Sequence, residues 1–200
     1  MTAGAWEVRG ARDRTDSPTR HELLRAAEAV FTAKGFGAVT IADVTREAGV
    51  SRATFYVYFA TKSEVFAALA RDVRDQLCAA QDVPPTGPPA EVWSAAIAGY
   101  LRAWTERIGL LRVMAHQAID DPAIAALLEE IRAAPTRRHE HFVARLEREG
   151  RARPRTTAAL TAQAVQGIVE RYAELIAAGD LSTGDAVAAL AALYDGMLRF

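Results

Sequence analysis

The sequence contains one cysteine, two lysines and no long apolar run. Cys78 alone allows no internal disulfide, which excludes a disulfide framework and suits a reducing compartment. No uninterrupted apolar stretch approaches the ~18–20 residues of a membrane span. The first 20 residues lack an apolar signal core and carry Glu7, Asp13 and Asp16 among their arginines, so they do not read as an export signal. The expectation is a soluble, cytoplasmic protein without a membrane partner. Excess charge is also lacking. The 24 Lys and Arg balance 25 Asp and Glu to a net charge of −1, so any nucleic-acid contact must be a local patch. Strand-like alternation bounded by hairpin signals and repeats of 20–50 residues are missing too.

What remains is a chain of 200 residues, 50% hydrophobic and 24% charged, an ordinary globular composition. Alanine is abundant, which favours helices throughout. Residues 1–17 show little periodicity and read as a flexible arm carrying Arg12 and Arg14. Ser17-Pro18 then supplies a cap and a proline at the first helical position. Leu23, Leu24, Ala27, Val30 and Phe31 follow at helical spacing, and Gly35 ends that helix. Thr40 to Asp43 has the form of a capping box. Ala48-Gly49-Val50 interrupts a short second helix, and Ser51 caps a third that runs to about Tyr58. Thr61-Lys62-Ser63-Glu64 opens a long amphipathic helix.

A proline-rich break at 83–89 separates this part from five further helical blocks, at about 90–105, 108–119, 122–148, 155–178 and 183–198. Pro135 should mark a kink or interruption in the third. The fold class is therefore all-α, divided as 1–17, 18–64 and 65–200.

The most specific segment runs from Thr40 to Lys62. Two short helices joined by a tight glycine-containing turn form a helix-turn-helix, whose second helix can enter a DNA major groove. Ser51 turns helix N-terminal amides toward a phosphate, and Arg52 stands where side chains meet base edges. Thr54, Tyr56, Tyr58 and Lys62 offer hydroxyls and a cation to the flanking backbone. Residues 1–64 hold nine Lys/Arg against eight Asp/Glu, so a positive face has to arise by geometry, from Arg12, Arg14, Arg20, Arg52 and Lys62.

The run Thr40-Ile-Ala-Asp-Val, then Ala48-Gly-Val-Ser-Arg-Ala-Thr-Phe-Tyr-Val-Tyr-Phe59 and Lys62, resembles the DNA-binding domain of TetR-family transcriptional regulators. The resemblance covers about residues 19–66. Thr45 stands where the family usually has alanine and Ala53 where glycine is frequent. The resemblance implies a homodimeric repressor with a three-helix N-terminal domain and a larger helical bundle for ligand sensing and dimerisation. It places a phosphate-binding lysine at Lys62 and puts Thr40, Arg46, Ser51, Arg52, Ala53, Thr54, Tyr56 and Tyr58 in the DNA-contacting set.

In the C-terminal part, Trp93, Ile97, Tyr100 and Trp104 share one helix face. They read either as plain core or as a cavity wall, since tryptophan and tyrosine carry polar handles. Gln163, Gln166 and Glu170 form a polar stripe. The spacing of Trp93 and Tyr100, with Gln166 to Arg171, is similar to the EthR-like branch of the family, which ranks Trp93, Ile97, Tyr100, Trp104, Met114, Phe142, Gln163, Gln166 and Tyr172 as pocket candidates. Mixed large aromatics and small alanines suggest an elongated, mainly apolar cavity, hence a small hydrophobic effector without a charged anchor. Val187, Leu190, Tyr194 and Met197 make the last helix apolar on more than one face, which points to burial against a second copy.

No metal or cofactor is expected. His139 and His141 diverge by roughly 200° on a helix and read as a solvated face, as does the arginine-rich run 132–155. Two other readings compete with the ligand-responsive regulator: a DNA-binding regulator with a filled core, and an all-α enzyme, for which no converging acid, base or nucleophile can be assembled.

Overall fold

The computed structural model describes residues 17–83 and 86–198; of the expected arm at 1–17, residues 1–16, with Arg12 and Arg14, lie outside the described residues. Among those described there are nine helices and no strand. They are α1 Pro18–Lys34, α2 Ile41–Glu47, α3 Arg52–Tyr58, α4 Lys62–Ala79, α5 Pro89–Glu106, α6 Ile108–Gln117, α7 Pro122–Arg148, α8 Ala158–Ala178 and α9 Thr183–Met197.

The local chemistry accounts for the boundaries. Ser17 accepts from the Arg20 amide at the start of α1. Thr40 and Asp43 close a reciprocal capping box on α2, and Ser51 accepts from the Thr54 amide to start α3. Gly49, at φ +66°, makes the turn between them, a conformation that L side chains rarely adopt. Thr61 caps α4 through the Glu64 amide.

Helix α1 packs on α2 and α4, and the head closes around Leu23, Phe31, Val44, Phe55, Phe59 and Phe66, all buried. Phe31 and Phe66 meet edge-on with centroids 5.0 Å apart. Truncating Phe55, which has no exposed surface, to alanine would cost about 3–5 kcal/mol.

Helix α4 continues across the 64/65 boundary and lies along α7, so head and bundle share it and a continuous core. Helix α5 packs between α8 and α9, and α7 runs beside α8. Gly99 lets α5 approach the end of α4: a Cβ there would come within 2.5 Å of the Ala80 carbonyl oxygen. Pro135 does not interrupt α7, which is helical on both sides of it. Proline leaves the Ile131 carbonyl without its helical donor, and, one residue on, the Thr136 hydroxyl donates to the Arg132 carbonyl at 2.7 Å.

One guanidinium ties the two parts together. Arg107, between α5 and α6, donates to Glu28 on α1 and to Gln76 on α4 at 2.6 and 2.9 Å. No helix of the described residues is long and apolar enough to cross a membrane.

Candidate functional site

Two places in the molecule carry chemistry. The first is the outer face of α3. Arg52, Ala53, Tyr56 and Val57 are exposed there, with Tyr56 at 51% and Val57 at 56%. Phe55 points inward and anchors the helix, while Tyr58 is half-buried against the core. Two large apolar side chains in water on a seven-residue helix suit a face that meets a partner. Val57 was absent from the sequence-based set. Its signal was only the 53, 56, 57 spacing around an inward Phe55, and valine on its own suggests core.

The hydroxyls around α3 are largely engaged. Ser51 Oγ lies 2.9 Å from Thr54 Oγ1, and the Thr40 hydroxyl donates to Asp43 at 2.7 Å. Asp43 also pairs with Arg46 and accepts from Lys34 at 2.8 Å; the bond from Lys34, with those from the Thr40 hydroxyl and amide, holds its carboxyl well below the usual carboxylate range. Thr45 is buried, and its hydroxyl donates to the Ala42 carbonyl at 3.3 Å, which supplies the partner that alanine would not need.

Lys62 stands differently from a simple phosphate contact. Its Nζ donates to the carbonyls of Phe36 at 2.8 Å and Val39 at 2.9 Å, and sits 4.5 Å from the centre of the Phe36 ring. The ammonium thus clasps the α1–α2 connection from the first turn of α4.

The second place is a cavity of about 250 Å³ between α5, α7 and α8. Trp93, Ile97 and Tyr100 line it from α5, Phe142 from α7 and Gln166 from α8. The other expected lining residues do not reach it. Trp104 and Met114 are buried in the core, Gln163 is exposed on the outward face of α8, and Tyr172 lies two turns further along that helix. The core and cavity readings of the aromatic stripe therefore divide within one helix.

His139, read from sequence as a solvated side chain, faces the cavity instead. Trp93 Nε1–H donates to its Nε2 at 3.3 Å, and the Tyr194 hydroxyl lies 3.0 Å from the same nitrogen. An indole N–H can only donate, so Nε2 is the acceptor and the proton sits on Nδ1. Burial lowers the His139 pKa from 6.5 to about 4, so the ring is neutral near pH 7.

Gln166 is already committed. Its Oε1 accepts from the Tyr100 hydroxyl, and its Nε2 donates to Glu170 at 2.9 Å. Glu170 in turn holds Arg132 through two bonds of 2.9 and 3.0 Å. Burial pushes the Tyr100 hydroxyl above its ordinary pKa and keeps it a donor. Cys78 is half-buried, and burial raises its thiol pKa, the opposite of what a reactive thiolate needs.

The expected dimer residues also move. Leu190 and Tyr194 are buried within the protomer, while Val187 and Met197 are half-buried. The outward side of α8 and α9 carries Leu160 at 58% and Leu193 at 46% exposure, with Ala164, Gly167, Ala188 and Ala192 also exposed.

The described residues thus form a helix-turn-helix head that shares a helix with an all-α bundle bordering a cavity. Residues 23–69 match the family model described as bacterial regulatory proteins, tetR family. A Bacillus subtilis protein described as the uncharacterized HTH-type transcriptional regulator YfiR is 31% identical over 128 residues, 64% of this chain and 61% of that protein. The chain thus spans about three-fifths of that relative's length. Among solved structures, Salmonella enterica GusR superposes with a TM-score of 0.77 at 16% identity, covering 92% of this chain and 96% of that one. A putative TetR-family regulator from Rhodococcus sp. gives 0.76 at 18% identity, covering 90% and 97%. Residues 23–69 thus match the DNA-binding domain model of the TetR family, and the chain as a whole shares the fold of these solved structures.

Proposed function

We propose that the protein is a ligand-responsive repressor that binds double-stranded operator DNA as a homodimer and leaves it when a mainly hydrophobic small molecule fills the cavity. The observation that carries the DNA reading is the exposed α3 face. Arg52 is free to reach a guanine edge, and Tyr56 and Val57 offer contact to sugar and thymine methyl groups.

Two copies are needed to read two half-sites. The outward face of α8 and α9 is the surface proposed for that pairing. Leu160 and Leu193 supply its apolar contact, and Gly167 and Ala188 allow close helix approach. Release follows from the sharing of helices. A molecule pressing on Trp93 and Tyr100 displaces α5, whose last turn leads into Arg107 and so into Glu28 of α1. The two α3 helices would then lose the spacing of successive major grooves.

The test is a mobility shift with the intergenic DNA flanking the protein's own gene. Wild type is expected to bind, and Arg52→Ala with Tyr56→Ala to lose that binding while keeping the thermal transition. Equal binding by both would overturn the reading. The alternative of a regulator without a small ligand is disfavoured by the cavity itself, which a filled core would not leave.

A further inference from the structure

We propose that the cavity is built for an organic monoanion, an aromatic body of about two fused rings bearing one carboxylate, with Arg145 at the mouth as the group that holds the acid. This rests on the cavity being the effector site.

Charge accounting on the wall comes first. The charged residues lining the cavity are Asp82, Arg138 and Arg145. Asp82 is taken by Arg138 in an ion pair that spans from the end of α4 to α7. Arg145 forms no ion pair among the described residues, and its guanidinium lies over the Phe142 ring, 5.5 Å from the centroid. That ring keeps the cation at the edge of the cavity instead of letting it swing into solvent. One positive charge is thus left over, and no carboxylate of the wall is left to receive a cationic ligand. The remaining acid nearby, Glu170, is bound by Arg132 and Gln166.

The interior is also unfinished. Gln81, on the same wall, has a side-chain carbonyl oxygen that is buried without a hydrogen-bond partner among the described residues. A buried acceptor left open costs free energy, and a hydroxyl on the bound molecule would satisfy it. The rest of the surface, Trp93, Ile97, Phe142, Val92 and Val165, is flat or apolar and suits a ring system. A carboxylate against a guanidinium gives a charge-assisted bond that a neutral group cannot reproduce.

The experiment uses isothermal titration calorimetry of the full chain at pH 7.5 with 6-hydroxy-2-naphthoic acid and its neutral partner, 6-hydroxy-2-naphthamide. Arg145 is exposed, so Arg145→Gln leaves the core intact. The acid is expected to bind wild type at least about tenfold tighter than the amide. In Arg145→Gln that preference should fall below threefold, and in Arg145→Lys it should largely persist. Equal affinity of acid and amide for wild type would overturn the charge assignment while leaving the cavity as a binding site. An acid preference that survives Arg145→Gln would also overturn it. Binding of neither probe would remove both this assignment and the effector-site reading beneath it.

Discussion

The indole of Trp93 lies flat on the phenol of Tyr194, with ring centroids 3.7 Å apart and the planes 9° from parallel. The stack joins α5 to α9 inside one protomer, so the last helix is part of the cavity's supporting wall. His139 completes the group by accepting from Trp93. Trp93→Ala removes a large buried side chain beside an existing void. It should lower unfolding free energy by about 3–5 kcal/mol in urea titrations. A loss below about 1 kcal/mol would mean that the stack does not hold the two helices together.

His139 gives the molecule a pH response of definite sign. Its pKa falls from 6.5 to about 4 on folding because burial disfavours the charged ring. The unfolded chain therefore binds more protons between those values, and stability present above pH 6.5 is lost as pH falls toward 4. At about 1.36 kcal/mol per pKa unit, the full loss approaches about 3 kcal/mol. His139→Gln should flatten the melting-temperature profile over that window, to which other groups also contribute. An unchanged slope between pH 6.5 and 4.5 would contradict the assignment.

Lys62 separates two roles that mutation can tell apart. With its ammonium on the carbonyls of Phe36 and Val39, Lys62→Met should destabilise the protein without DNA by about 1–3 kcal/mol, since both carbonyls lose a charged donor. A lysine used solely for a phosphate would leave the DNA-free melting temperature unchanged. Differential scanning calorimetry without DNA decides between them.

The dimer surface is tested at Leu193, 46% exposed on α9. Leu193→Asp should yield a monomer in sedimentation equilibrium at micromolar concentration, with helical content retained. Tyr194→Phe, at an interior position, should leave the dimer intact. A dimer that survives Leu193→Asp unchanged would place the interface elsewhere.

The capped head was legible from sequence because its signals are local. Ser17, Thr40, Ser51 and Thr61 each cap the helix they preceded in the reading, and Gly49 makes the turn. The bundle's helices were legible in extent, with α7 spanning 122–148 as read. What periodicity does not carry is which neighbour a face meets. Trp93 and Trp104 share a stripe, yet Trp93 lines the cavity while Trp104, three turns on, is buried in the core. Tyr194 and Leu193 are adjacent, and only packing tells which is inside. His139 looked solvated because its partners, Trp93 and Tyr194, are 46 and 55 residues away. Arg145 was hidden among the arginines of 132–155, since pairing partners cannot be counted from a run of charges.

Whether the outer faces of two α3 helices read DNA together is decided by selecting binding sites from a random duplex pool, sequenced before and after enrichment. The expected product is an inverted repeat whose half-site centres lie about one helical turn or a multiple of it apart. Arg52→Ala should blur one position in each half-site, costing about 1–3 kcal/mol of discrimination there. No enriched sequence, or the same enriched sequence with the same selectivity in Arg52→Ala, would contradict this reading.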